Sequence, residues 1–295
     1  MNSVIIYTVV SLSSLGALFA VILFVVARKF RVFEDPRIDQ IQEILPGANC
    51  GGCGFAGCRN FAEALVKADS FEGLNCPVGG ASLMTDAAEI LGREAVLTEP
   101  LIAVVRCNGT PEHRPRTSNY DGARTCTIAH SLYTGETDCS YGCLGYGDCV
   151  VACKFDAMYM DPETGLPVIS DEKCVACGAC VKACPRTIIE LRKKAKKDRK
   201  IYVSCVNCDK GGPARKACKV ACIGCGKCVK ACEYDAITLE NNLAWIDSMK
   251  CVFCRKCVTE CPTSAILEIN FPPRKERSSE PAETTAGKTE YINHG

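Results

Sequence analysis

The chain has 295 residues, a formal net charge of +1 and 25 cysteines. Its length allows two or more small domains, and its balanced charge lacks the basic field that draws nucleic acid, so no nucleic-acid partner is expected. Cysteine at several times ordinary usage means that thiols organise the fold, either as disulfides in an oxidising compartment or as reduced thiolates on iron-sulfur or zinc.

From Val4 to Ala27 the chain runs 24 residues without a charge, long enough to cross roughly 30 Å of hydrocarbon as a helix. No basic residue precedes the run, and Arg28, Lys29 and Arg31 follow it. A signal peptide has the reverse order. The positive-inside rule places the N-terminus outside and everything after Arg28 on the cytoplasmic side. A single-pass protein of a bacterial inner (cytoplasmic) membrane is expected, with its cysteines in a reducing compartment, which argues against disulfides.

After this anchor (residues 1–34, span 4–27), Asp35 and Pro36 read as an N-cap and first helical residue. Ile38, Ile41, Ile44 and Leu45 keep helical spacing until Pro46-Gly47. The first cysteine group is NCGGCGFAGC, with Cys50, Cys53 and Cys58, closed by Cys76 in NCPVGG. Its glycines let the backbone pass close to an inorganic core and turn amides toward sulfur. Phe61, Leu65 and Val66 form one apolar helix face; Leu83, Ala87, Ile90 and Leu91 form another. Residues 35–98 therefore read as a small helical domain on one metal site.

LIAVVRC, Leu101 to Cys107, is a buried-strand candidate, and Asn108 to Tyr120 is a loop. A repeat follows. CSYGCLGYGDCVVACKFDAMYM (Cys139 to Met160) aligns without gaps on CKVACIGCGKCVKACEYDAITL (Cys218 to Leu239). Each copy is followed by a second motif, CVACGACVKACP from Cys174 and CVFCRKCVTECP from Cys251. The chain thus holds two tandem units, 99–191 and 201–270, each preceded by a strand ending in cysteine, Cys107 or Cys205. Between them RKKAKKDRK, residues 192–200, has eight charges in nine residues. It reads as a solvated linker, or else as a docking surface for an acidic redox partner. Residues 271–295 are polar, without periodicity, and expected to be disordered. The fold class is α+β: small cofactor-organised domains, with an N-terminal transmembrane helix, a small helical [4Fe-4S] domain and two tandem bacterial-ferredoxin-like units.

In a C-x2-C-x2-C run three thiolates converge on one [4Fe-4S] cube, and the next cysteine ligates the other cube of a two-cluster ferredoxin. In the second unit this pairing puts Cys222, Cys225, Cys228 and Cys261 on one cluster, and Cys232, Cys251, Cys254 and Cys257 on another. In the first, Cys153, Cys174, Cys177 and Cys180 form a standard set. The remaining run carries Tyr146 where its second cysteine belongs. The expected substitute is Cys139, giving Cys139, Cys143, Cys149 and Cys184; a [3Fe-4S] cluster lacking one ligand is the alternative. Cys50, Cys53, Cys58 and Cys76 make a fifth [4Fe-4S] site. Structural zinc usually takes two C-x2-C knuckles joined by a longer loop, without a third cysteine at the next interval.

Cys107, Cys126, Cys205, Cys208 and Cys218 are left over. Buried structural thiols are the plain reading for Cys107 and Cys126. Cys205, Cys208 and Cys218 supply three ligands of a possible further site, to be completed by Cys126, Cys107 or a non-cysteine group. His113, His130 and His294 fall on loops or the tail, and no catalytic residue is identified. Phosphate-cradling signatures are absent, so no flavin, nicotinamide or nucleotide site is expected on this chain.

An N-terminal anchor followed by NCGGCGFAGC with NCPVGG, then GCLGYGDCVVAC and CVACGACVKACP, resembles the B subunit of the Rnf complex, the membrane-bound ion-translocating ferredoxin:NAD oxidoreductase. The likeness covers residues 1 to about 190; residues 201–270 resemble the extended form of that protein. It implies an electron-transfer subunit that takes electrons from reduced soluble ferredoxin and passes them to partner subunits, which hold flavins, reduce NAD and move sodium ions or protons. By the same resemblance, Cys50, Cys53, Cys58 and Cys76 bind one cluster and the unit from Cys139 to Cys184 binds two, apart from the departure at Tyr146. An iron-sulfur subunit of another anchored oxidoreductase and a non-redox zinc scaffold are the rival readings.

Overall fold

The computed structural model describes residues 2–29, 34–96 and 98–273; Arg31, His294 and the tail from 274 onward lie outside the described residues. Helix α1 (Asn2–Lys29) has exposed side chains from Ile5 to Lys29 and a mean hydropathy of 2.6 in its most apolar window, so it is long and apolar enough to cross a membrane. Three of its hydroxyls are satisfied within the helix. Thr8, Ser11 and Ser14 donate to the carbonyls of Ile5, Thr8 and Ser11 at 2.9–3.0 Å, as a low-dielectric surrounding demands.

Three helices build the next domain: α2 (Arg37–Ile44), α3 (Cys58–Lys67) and α4 (Gly80–Leu91). Their apolar residues recur at three- and four-residue intervals, and Ile41, Phe61, Leu65, Phe71 and Met84 meet in a core that water does not reach. The inward face of α4 is Leu83, Met84, Ala87, Ala88 and Leu91. Ile90, expected on that face, is 36% exposed because it lies one position off the stripe. Arg93 closes the domain by donating to the carbonyls of Leu65 and Val66, the otherwise unpaired end of α3.

The first repeat unit contains β1 (Leu101–Val105), α5 (Cys126–Leu132), α6 (Asp148–Val151), β2 (Met158–Met160), β3 (Pro167–Ile169), α7 (Ala179–Ala183) and β4 (Ile189–Lys193). In the second are β5 (Lys200–Val203), α8 (Gly211–Ala217), α9 (Lys227–Lys230), β6 (Ile237–Glu240), β7 (Leu243–Ile246), α10 (Lys256–Glu260) and β8 (Ile266–Ile269). Both use the same plan. Terminal strands pair antiparallel, β1 with β4 and β5 with β8, while β2–β3 and β6–β7 form hairpins. The register agrees as well, since Val105 faces Ile189 and Val203 faces Ile266. Cys107 and Cys205 lie two residues beyond their strands, so the duplication reaches upstream of the aligned motifs.

Four short helices each deliver the third cysteine of a run, Cys149, Cys180, Cys228 and Cys257, all at most 8% exposed. The residue before each helix is left-handed: Gly147, Gly178 and Gly226 at φ of 83°, 76° and 71°, and Arg255 at 67°. Such a turn aims the first helical amides into the loop just built. Glycine adopts it without strain; Arg255 does not.

The basic segment 192–200 is a correction to the sequence reading, because much of it is strand and seam. Arg192 is 4% exposed, pairs with Glu190 at 2.5 Å and donates to the carbonyl of Ile246 in the other unit. Lys200, 8% exposed, pairs with Asp171 of the first unit at 2.5 Å. Lys194 donates to the Asp171 carbonyl at 2.8 Å, leaving Lys196 and Lys197 exposed. Strand ends carry these cations into the gap between the units, where carboxylates and carbonyls take them up. At the far end Phe271 packs on Phe253 and under Arg199 and Arg255, so the folded part of the second unit runs past residue 270.

Candidate iron-sulfur sites

Three cavities of similar size, about 360, 350 and 330 Å³ of atom-free space, are each lined by four cysteines. The second holds Cys222, Cys225, Cys228 and Cys261, and the third holds Cys232, Cys251, Cys254 and Cys257. These are the sets that the crossed pairing of motifs predicts. Cys232, at the end of one run, leaves its own cavity and enters the neighbour's, and Cys261 returns. Burial pushes Cys228 up to about 11 and Cys257 up to about 12, with their cavity partners adding like-charge repulsion. Such thiols lose their protons only to a cation that replaces them.

The first cavity departs from expectation. Its thiols are Cys126, Cys143, Cys149 and Cys184; Cys139 is not among them. The correction has a local cause. The Cys126 thiol accepts from the amides of Asp148, Tyr146 and Gly147, the nest of N–H groups that the motif's second cysteine would use. Tyr146 turns its ring toward Tyr120, 6.0 Å away. Cys126 is brought there by the start of α5, where Thr125 caps the amide of Ile128 at 3.3 Å. Asp148 ties that start to α6, its carboxylate accepting the amides of Cys126 at 2.8 Å and Thr127 at 3.0 Å and the Thr127 hydroxyl at 3.0 Å. Nothing in cysteine spacing reaches so far upstream; the only sequence signal is a Thr N-cap directly before a cysteine.

Burial works against the charge on Asp148, but those donors outweigh it and hold its carboxyl below the usual range. The sign follows: the stabilisation is complete above the unfolded-state pKa near 3.9 and fades as pH falls through the lowered folded value. Asp148→Asn is expected to cost about 1 kcal/mol at neutral pH, read as roughly fivefold faster hydrogen exchange at the amides of Cys126 and Thr127. Unchanged exchange would remove Asp148 as the tie.

Cys153, Cys174, Cys177 and Cys180 also gather. Burial pushes Cys180 up to about 11, and Cys174, Cys177 and Cys153 add to it. Cys177 is raised by burial and then by Cys50 of the helical domain ahead of Cys153 and Cys174. The two cysteine groups therefore adjoin, and Gly52 makes this possible: a Cβ there would lie 2.9 Å from Cys177 Cα. In the helical domain, burial raises Cys76, with Cys53 and Cys50 contributing, and its sulfur accepts the Gly79 amide at 3.4 Å. Asn49 accepts the Cys58 amide at 2.8 Å, which closes the loop onto α3.

Of the remaining thiols, Cys139, Cys205 and Cys218 are buried and Cys107 is half-buried; Cys208 donates to the Val206 carbonyl at 3.7 Å. Among the described residues no three Cys, His, Asp or Glu side chains stand close enough to hold a single ion. Zinc at about 2.3 Å from each sulfur needs that closeness; a cube, with irons at its corners, holds its thiolates farther apart.

Comparison with known proteins covers the same stretches of the chain. The 4Fe-4S dicluster domain family matches residues 138–188 and 221–265, and a putative Fe-S cluster family matches 45–77. The chain is 47% identical over 232 residues, 79% of its length and 68% of the relative's, to the B subunit of the Na(+)-translocating ferredoxin:NAD(+) oxidoreductase complex of Acetobacterium woodii. It is 41% identical to the proton-translocating counterpart of Clostridium ljungdahlii, covering 84% of this chain and 85% of that one. With the B subunit of the ion-translocating oxidoreductase complex of Methanosarcina acetivorans it shares 40% identity over 90% of this chain and 99% of the relative. Coverage of this extent takes in both ferredoxin-like units together with the helical domain, and the chain belongs to the family of B subunits of the ion-translocating ferredoxin:NAD oxidoreductase, or Rnf, complexes.

Proposed function

We propose that this chain is the membrane-anchored iron-sulfur protein that accepts electrons from reduced ferredoxin and passes them to the other Rnf subunits. The observation that carries the reading is the convergence of thiols in fours on three cavities of similar size. Five [4Fe-4S] clusters are assigned. One is held by Cys50, Cys53, Cys58 and Cys76; one by Cys126, Cys143, Cys149 and Cys184; and one by Cys153, Cys174, Cys177 and Cys180. The second unit holds the other two, on Cys222, Cys225, Cys228 and Cys261 and on Cys232, Cys251, Cys254 and Cys257. When bound, each cube supplies one-electron chemistry with little movement of its ligands.

The chain's own residues bring neighbouring sites together. Cys177 against Cys50 brings the helical domain to the first unit, and Cys257 beside Cys228 brings together the two sites of the second. Cys225 and Cys254 are the exposed thiols among the described residues, so the second unit presents its sites to a soluble donor. The anchor holds the opposite end at the membrane, with the N-terminus outside and the cluster domains on the cytoplasmic side.

The test is anaerobic purification of the whole chain, metal and acid-labile sulfide analysis, and mixing with reduced ferredoxin. Iron with matching sulfide and rapid reduction of the protein are expected. Zinc without sulfide, or iron that ferredoxin does not reduce, would overturn the proposal.

A further inference from the structure

The two repeat units carry their cysteine runs in register, but not their charges. After the closing Cys-Pro pair the first unit has Arg186 where the second has Thr263, and inside the run Asp148 aligns with Lys227. The cavity of Cys222, Cys225, Cys228 and Cys261 has no ionisable lining besides those thiols. That of Cys126, Cys143, Cys149 and Cys184 is lined by Asp148 and Arg186 as well.

Arg186 and Arg114 pack around the loop that carries Cys143, and each is 8% exposed. Arg186 donates to the carbonyls of Gly142 at 2.6 Å, of Cys139 at 3.4 Å and of Thr134. Arg114 donates to the carbonyl of Cys143 at 2.8 Å. Gly142 makes the room, since a Cβ there would collide with Arg114 Nη1. The two guanidiniums also line a second cavity, of about 560 Å³ of atom-free space, which shares Cys143, Leu144 and Arg186 with the first.

Carbonyl oxygens solvate these cations without neutralising them. Neither guanidinium forms an ion pair among the described residues, and both Nε atoms are buried without a hydrogen-bond partner. Burial and then the charge of Arg114 depress Arg186, while Cys139, Cys143 and Cys107 act the other way. Two like charges held out of water with nothing to balance them are strongly destabilising. Asp148 brings one negative charge to the cluster cavity, but its oxygens already accept the amides of Cys126 and Thr127 and the Thr127 hydroxyl. Glu136, on the second cavity, pairs with Arg116 at 3.2 Å. Positive charge is therefore left over beside Cys143. In the second unit Lys227 is exposed, where water and salt screen it, and Thr263 brings only a neutral hydroxyl, 3.8 Å from Cys261 Sγ.

A cube held by four thiolates becomes more negative on reduction, and its potential follows the charges and hydrogen bonds around it. We propose that Arg114 and Arg186 raise the reduction potential of the cluster on Cys126, Cys143, Cys149 and Cys184 above that of its repeat equivalent on Cys222, Cys225, Cys228 and Cys261, so that an electron runs downhill from the second unit to the first. The inference rests on the electron-transfer reading above and adds a direction to it. One electron leaves the second-unit site, which is oxidised, and reaches the first-unit site, which is reduced, with no bond or proton changed.

The test is a redox titration of the whole chain, purified anaerobically and followed by paramagnetic resonance. The signals of the two sites are those lost in Cys149→Ala and in Cys228→Ala, and the first is expected to have the higher midpoint. Arg186→Thr, which gives the position the neutral side chain of its repeat equivalent, should lower the ratio of reduced to oxidised cluster at the first site roughly tenfold at a fixed potential, about 59 mV for one electron. Iron and sulfide should stay unchanged, and the second site's signal should not move. Arg114→Gln should shift the same signal the same way, whereas Arg186→Lys, which keeps the charge, should shift it little. Equal midpoints for the two sites in the unsubstituted chain would overturn the proposal whether or not the arginine variants fold. An unmoved midpoint in Arg186→Thr and Arg114→Gln proteins of full iron content would overturn it too. So would a midpoint that inorganic phosphate shifts in the unsubstituted chain, because the guanidiniums would then serve a soluble anion. Reduction of the chain by ferredoxin in each of these cases would leave the wider function standing.

Discussion

Phe61→Ala is expected to cost the helical domain about 3–5 kcal/mol and, with it, one cluster. Phe61 is 1% exposed and sits among Ile41, Leu65, Phe71 and Met84. Its ring lies 5.5 Å from that of Phe55, which stands between Cys53 and Cys58 in the ligand loop. Removing it empties the core and takes away the surface on which the loop rests. A domain of about 60 residues has only a few kcal/mol of stability to lose. The check is iron per chain beside a urea titration: about four irons fewer and an early separate transition are expected. Ile90→Ala, at an exposed position, should change stability by no more than about 0.5 kcal/mol. An unchanged iron count in the Phe61 variant would show that the loop holds its cube without the core beneath it.

Lys200→Met comes next in size, at about 3–5 kcal/mol, because it leaves Asp171 as a nearly buried charge without its ammonium. The pair is close, 2.5 Å, with 8% and 18% of the two side chains exposed. Asn270 also donates to Asp171 at 3.2 Å, an amide that solvates the carboxylate without neutralising it. Since Lys200 and Asp171 belong to different units, the loss should appear as a lower urea midpoint for the seam. Pairing Lys200→Met with Asp171→Leu should recover much of it, because removal of both charges leaves nothing buried and unpaired. Lys197→Met, three residues away and exposed, should be silent. Equal effects at Lys197 and Lys200 would return the segment to the solvated linker that its composition suggests.

That contrast shows where sequence is informative. Cysteine spacing is a local property of a loop, so the crossed sets of the second unit can be read directly, Cys232 and Cys261 included. Apolar periodicity is local too, and it names Phe61, Leu65, Ala87 and Leu91; Ile90 is the exception because a helix face is narrower than a list of its apolar residues. The placement of Cys126 is not local. It depends on Thr125 starting a helix, on Asp148 pinning that helix to α6, and on an amide nest left open by Tyr146. No spacing rule carries that across 20 residues. The basic segment misleads for a related reason: charge density suggests water, but Arg192 and Lys200 meet Ile246 and Asp171 only once the two units are folded together.

Arg255 occupies the position that glycine holds in the three equivalent loops, at the cost of a left-handed backbone, and its side chain offsets that cost. The guanidinium meets Glu268 at 2.6 and 2.7 Å, lies 5.1 Å from the ring of Phe271 and donates to the Pro272 carbonyl at 3.1 Å. The residue between Cys254 and Cys257 that shapes their loop is therefore also the clasp on the last strand and the segment leaving it. Tension on the C-terminal segment would be felt at a cluster ligand loop within one side chain's length. A fusion or a binding partner attached beyond Pro272 would thus act on the site at the exposed Cys254, whereas the same load on the first unit, where Gly178 has no side chain to pull, would pass it by.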